Sequence, residues 1–203
     1  MNQTAVTSVD FIPEVVTKMN ARGVSGVTYA EADFTAMTYE DNSFQAIIDK
    51  GSFDAICLDN DDDSEEKYTK YLSEQIRVLD AANGGKFLIV SLLQAHVFDA
   101  LLDYFIKGEK NPHFAQYAFD LQLIKLDKIC NVEDSKFVSY LLSVTKRAKT
   151  ESSEPAQITL KMGLGMEVET ISREDIVKRV KIMQYEATIT KDIKEFKKGQ
   201  FFQ

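Results

Sequence analysis

Ser43-Phe44-Gln45-Ala46-Ile47-Ile48-Asp49-Lys50-Gly51-Ser52-Phe53-Asp54-Ala55-Ile56 decides how this chain is read. Phe44 to Ile48 is a short apolar run with the length and composition of a buried strand. Asp49 stands where the run stops, and Gly51 lets the backbone turn sharply before a new apolar segment starts. In open α/β sheets, ligands sit beyond the carboxyl ends of the strands. A carboxylate at a strand's end, followed by a glycine turn, is therefore a candidate site residue. The same pattern also suits a plain solvated strand-to-helix turn.

Upstream, Ala5 to Val9 reads as a strand that ends at Asp10. Pro13 suits the first turn of a helix, where its missing N–H costs nothing. Val15, Val16 and Met19 give that helix an apolar stripe, and Gly23 is a left-handed cap. A second strand starts at Gly26-Val27-Thr28-Tyr29, and Asp33 follows its end. Asp41-Asn42-Ser43 is turn chemistry leading into the central strand.

Downstream comes an acidic run of Asp59, Asp61, Asp62, Asp63, Glu65 and Glu66. Acids at a helix start are favoured by the helix dipole, and Asp63 or Ser64 suits the cap. A calcium loop starting at Asp59 fails, because Ser64 replaces the required glycine and Lys70 the closing glutamate. Tyr68, Tyr71, Leu72, Ile76 and Leu79 share one face of the helix, which Asn83-Gly84-Gly85 ends. Lys86 to Ser91 is a third buried strand, and a second helix carries Val97, Leu101, Leu102 and Phe105 to Gly108. Phe119, Leu121 and Leu123 then alternate with polar residues, and Phe137 to Val144 follows a turn at Asp134-Ser135. The order predicts an α/β fold: a mostly parallel sheet closed by a C-terminal antiparallel hairpin. Lys149 to Pro155 is polar and reads as a linker, and Ser172 with Asp175 forms a capping box opening a last helix.

A length of 203 residues suits one domain plus an appendage. The net charge of −8 argues against a nucleic-acid backbone as partner and suits a basic protein substrate. Cys57 and Cys130 are far apart, which excludes a disulfide framework and points to a reducing, cytoplasmic setting. No apolar run is long enough to span a bilayer. His96 and His113 are the only histidines, so a metal site is not expected. No GxSxG is present for hydrolysis.

Asp49-Lys50-Gly51-Ser52-Phe53-Asp54-Ala55 resembles the Asp-Lys-Gly-Thr-x-Asp-Ala motif of a branch of S-adenosylmethionine-dependent methyltransferases. Ser91-Leu92-Leu93-Gln94-Ala95-His96-Val97 narrows the match, as do Ser8-Val9-Asp10 with Glu14-Val15-Val16, and Asp33 to Phe44. The resemblance implies a Rossmann-like fold and S-adenosyl-L-methionine as methyl donor. It implies a protein lysine or N-terminal amine as acceptor, with a translation elongation factor as partner. Asp10 would hold the ribose hydroxyls, a task that suits a two-oxygen acceptor. Asp33 would accept from the adenine amino group, and the Phe34 backbone would lie alongside the ring. Asp49 would face the methionine end and the entering amine, either guiding the proton away or only bracing the Gly51 turn. The acidic run would sit at the mouth of the substrate cleft.

The family's first strand and glycine-rich loop precede the segment that begins here at Ala5, and the nine glycines contain no GxGxxG. Gly163-Leu164-Gly165 reads as a turn, and Ile12 stands where relatives carry a capping serine. The expected organisation is a partial methyltransferase domain over 1–148, a linker over 149–171 and a helical extension over 172–203, cut short at its end. A truncated chain with impaired cofactor binding follows, since a sheet without its central strand has unpaired backbone on both sides of a gap. The open alternatives are a segment from Ala5 that pairs with Phe44 to Ile48 and closes the gap, and a non-catalytic remnant that binds a protein partner.

Overall fold

Gly51 turns the chain from a strand into a helix. Its φ of 85° lies in the left-handed region, open to glycine at little cost. The chain thereby leaves β3 (Ala46–Lys50) and enters α2 (Ser52–Ile56) across a single residue. The structure is a computed structural model and describes residues 5–57, 62–126, 139–150, 157–162 and 166–183.

The first unit is β1 (Val6–Asp10), α1 (Pro13–Asn20) and β2 (Val27–Glu31). β1 and β2 pair in parallel, with Val6 opposite Val27 and Asp10 opposite Glu31. Pro13 opens α1, and Ile12 gives it no side-chain cap. After β2 a loop leads to β3, which pairs in parallel with β4 (Lys86–Ser91). Between them in sequence run α2 and α3 (Asp62–Val78). α4 (Ala95–Leu102) continues into a π-helical turn, Asp103–Lys107, closed by Gly108 at φ 73°. A Cβ at Gly108 would fall 2.2 Å from the Phe114 ring, so this position takes glycine for space as well as conformation.

β5 (Tyr117–Lys125) and β6 (Tyr140–Ala148) form the expected antiparallel hairpin, and β6 lies antiparallel to β4. The architecture is α/β with a mixed sheet of order β3-β4-β6-β5-β7-β8. Its core joins Leu72, Ile76 and Leu79 to Phe87, Ile89, Leu123 and Leu142. The helical face read from the sequence of α3 is thus the face that packs.

Several boundaries differ from expectation. Phe44 makes only an isolated bridge to Leu79, and the strand starts at Ala46, so Asp49 lies within it. α3 stops at Val78 because Asp80 folds the next turn, accepting from Ala82 N at 2.8 Å and Asn83 Nδ2 at 2.7 Å. Residues 149–171 are not simply a linker. They hold β7 (Ile158–Lys161), parallel to β5, and β8 (Glu169–Thr170), antiparallel to β7. Ile158 and Leu160 point into the core, which is the driving force the polar flanks concealed. The last helix, α5 (173–183), is no separate extension either, since Ile176, Val180 and Met183 join the same core. The Ser172–Asp175 capping box opens it as expected: Asp175 N donates to Ser172 Oγ at 3.1 Å, and that hydroxyl to the Asp175 carboxylate at 2.8 Å. Cys130, Asp134-Ser135 and Gly163-Leu164-Gly165 lie outside the described residues.

β1 and β2 form a sheet of their own, and β1 does not pair with β3. Closure of the gap by the segment from Ala5 is therefore not adopted. Among the described residues, β1 and β3 each keep one free edge. No described residue from 5 to 44 is buried, whereas Ile48, on β3, is 73% exposed.

Candidate functional site

Asp10 and Asp33 follow one local design. Each stands at or just past the end of one of two adjacent parallel strands, and each uses one carboxylate oxygen to fold its own loop. Asp10 Oδ1 accepts from Ile12 N at 2.9 Å. Asp33 Oδ1 accepts from Thr35 N at 2.8 Å and Thr35 Oγ1 at 2.7 Å. Such Asx turns are a frequent use of aspartate at strand ends. Among the described residues the second oxygen of each has no protein partner, so each keeps acceptor capacity for a ligand. The Thr35 hydroxyl, then its amide, holds the Asp33 carboxyl below the usual carboxylate range, so it is ionised at neutral pH.

The residues after these two aspartates bring the loops together. The rings of Phe11 and Phe34 meet edge to face at 6.2 Å, and Phe34 meets Tyr71 of α3 in the same way at 5.3 Å. The Tyr71 hydroxyl donates to Asp49 Oδ2 at 2.8 Å. Asp10, Asp33 and Asp49 are therefore linked by one chain of three rings, which crosses from the small sheet to the large one. The Phe34 carbonyl accepts from Gln75 Nε2 at 3.1 Å.

Asp49 is only 4% exposed, and its carboxylate takes three hydrogen bonds. Ser52 N donates to Oδ1 at 2.8 Å, Phe53 N to Oδ2 at 2.9 Å, and the third comes from Tyr71. The two amides are orphan donors of the first turn of α2, so Asp49 does the work of a helix cap from inside the strand. Of the two roles open to it, this arrangement favours the brace. Three of its four acceptor positions are taken, which leaves one for a ligand. Burial, then the Asp49 charge, pushes the Tyr71 phenol well above its ordinary range, so Tyr71 is a neutral donor.

Asp54, the second aspartate of the same turn, also has a partner far away in sequence. It accepts from Ser91 Oγ at 2.6 Å and Leu92 N at 3.1 Å, which fastens α2 to the end of β4. α3 holds the loop before β3 in the same manner. Arg77 donates to the carbonyls of Tyr39 at 2.7 Å and Met37 at 2.9 Å and pairs with Asp41 at 2.8 Å, while Glu74 accepts from Met37 N.

Sequence reasoning named Asp10, Asp33, Phe34 and Asp49, and one chain of rings links the three aspartates. That reasoning missed Tyr71, which it placed on the apolar face of the helix, and Gln75, which it did not single out. Asp59 and Asp61 of the acidic run lie outside the described residues. Glu65 pairs with Lys110, and Glu66 with Lys70 at 2.6 Å, so those two acids have local partners. His113 Nε2 lies 3.1 Å from the Ser73 carbonyl, and burial holds the imidazole below its usual range. Among the described residues no group of three or more potential ligands could hold a metal, and no helix is long and apolar enough to cross a membrane.

No family model matches the chain. Curated relatives do. The eEF1A lysine and N-terminal methyltransferase of Xenopus laevis is 41% identical over 106 residues, which are 51% of this chain and 15% of the relative. The Drosophila melanogaster homolog of that enzyme is 35% identical over 105 residues, 50% of this chain and 15% of the relative. The mouse EEF1A lysine methyltransferase 2 is 32% identical over 114 residues, 53% of this chain and 45% of the relative. The match thus takes in about half of this chain and the smaller part of each relative. Among solved structures, a SAM-dependent methyltransferase from Methanosarcina mazei aligns with a TM-score of 0.47 at 13% identity, covering 71% of this chain and 82% of its own.

Proposed function

We propose that this chain is an S-adenosyl-L-methionine-dependent methyltransferase whose acceptor is a protein amine, a lysine of eEF1A or a chain N-terminus. One observation carries the reading: Asp10 and Asp33, at the ends of adjacent parallel strands, each keep a carboxylate oxygen without a protein partner among the described residues. The relatives' names supply the reaction and the acceptor class, and the sequence motif at Asp49 to Ala55 suggests the donor.

When bound, the donor supplies a sulfonium methyl that passes in line to the neutral amine, leaving a thioether and a proton to be shed. The Asp10 carboxylate would hold the ribose hydroxyls, and Asp33 would hold the adenine amino group. Phe34, fixed by Gln75 and by two ring contacts, would line the adenine side. Asp49 contributes its charge and a rigid turn near the methionine end. Catalysis here rests mainly on holding two reactants in line, which can supply several orders of magnitude in rate.

Cofactor binding is weak in this reading. β1 and β3 belong to different sheets, and among the described residues no strand pairs with both. The same openness favours a second reading, a non-catalytic module that binds a protein partner. A methyl-transfer assay with radiolabelled S-adenosylmethionine and purified eEF1A separates the two. Incorporation that is lost in Asp10→Ala supports the enzyme. Stable capture of eEF1A with no incorporation supports the module.

A further inference from the structure

We propose that Tyr71 is a positioning residue that sets the two ends of the donor site with one side chain; this rests on the methyltransferase reading above. Its ring edge meets Phe34 at 5.3 Å, and its hydroxyl reaches Asp49 at 2.8 Å. The ring is further packed by Phe53 at 6.0 Å and Phe87 at 6.4 Å. A side chain held on several sides has one rotamer available, so it transmits position rather than absorbing it.

The two contacts are chemically different and separable. The Phe34 contact is ring against ring and survives loss of the hydroxyl. The Asp49 contact is a hydrogen bond to a carboxylate, a strong kind, and depends wholly on the hydroxyl. Without it Asp49 keeps only the amides of Ser52 and Phe53, both from its own turn. The turn is then capped and still packed on α3 through the Phe53 ring, but the Asp49 carboxylate itself is no longer held by α3. Phe34 remains on α3 through Gln75. The adenine side therefore stays in place while the methionine side loosens.

The test compares two probes by calorimetry at millimolar ligand. S-adenosylmethionine carries both ends, and 5′-methylthioadenosine lacks the amino-acid end. Tyr71→Phe is expected to weaken S-adenosylmethionine about tenfold, the scale of one charge-assisted hydrogen bond, and to leave methylthioadenosine unchanged. Tyr71→Leu, which also removes the ring, is expected to weaken both. Equal weakening of both probes by Tyr71→Phe would mean a general structural role and would overturn the proposal. So would unchanged binding of both, or loss confined to methylthioadenosine. If the unsubstituted chain binds neither probe, the methyltransferase reading itself fails and this proposal falls with it.

Discussion

The ammonium of Lys146 on β6 lies 2.6 Å from the carbonyl oxygen of Leu79, just past the end of α3. It also donates to the carbonyl of Ile76 at 2.8 Å and to Asn42 Oδ1 at 2.9 Å, and it sits 4.1 Å from the centre of the Tyr117 ring. A cation at the carboxyl end of a helix suits the dipole and satisfies orphan carbonyls. One side chain thus joins a strand, the end of α3 and the loop that leads into β3.

Burial pushes the Lys146 ammonium down to about 8, against the pull of Asp41 and Asp80. The folded value lies below the unfolded one, so the folded state sheds this proton first. The cost of burying the charge is present in full below about pH 8 and is lost as pH rises toward the unfolded value. Stability of the native chain relative to Lys146→Met is therefore expected to rise by about 3 kcal/mol between pH 7 and pH 11. Paired urea titrations across that range measure it. A flat difference would mean that the ammonium is not paying for its burial.

Asp49→Ala leaves two α2 amides and the Tyr71 hydroxyl without their acceptor. The expected loss is about 2–4 kcal/mol in urea unfolding, with a smaller loss for Asp49→Asn, which keeps one carbonyl oxygen. An Asp49→Ala chain as stable as the parent would remove the brace.

The unit from residue 5 to residue 44 has no buried residue, while the core of the large sheet includes Phe87, Ile89 and Val144. Few buried contacts mean a low cost of local opening. In hydrogen exchange read by mass spectrometry, β1 and β2 are expected to exchange well before β4 and β6. Equal protection in β1 and β4 would contradict this.

Ile48 is 73% exposed on a strand that keeps a free edge among the described residues. Free edges with apolar side chains invite pairing with other chains, and a lysine there discourages it. Ile48→Lys is expected to reduce concentration-dependent association in light scattering, with a stability change within about 0.5 kcal/mol. Unchanged association would show that this edge is not the sticky one.

What the sequence revealed and what it hid follow from the range of the interactions. The Gly51 turn and the Ser172–Asp175 box are local, spanning a few residues, and both were legible. The alternation around Leu121 and Leu123 was legible for the same reason. Tyr71 was read as core because its partner, Asp49, is 22 positions away. Asp54 and Ser91 are 37 apart, so neither residue alone signals the clamp between them. β7 has four residues, too few for periodicity to rise above its polar surroundings. Asp49 was singled out by its place after an apolar run, and Asp10 and Asp33 by the family resemblance, whereas the rings that gather them gave no such signal.

Calorimetric titration of the 203-residue chain with S-adenosylmethionine tests the central claim most directly. Saturable one-site binding weaker than micromolar, abolished in both Asp10→Ala and Asp33→Ala, is the expected result. No heat at millimolar ligand, or binding that ignores both substitutions, would contradict the donor site; micromolar affinity would contradict its weakness.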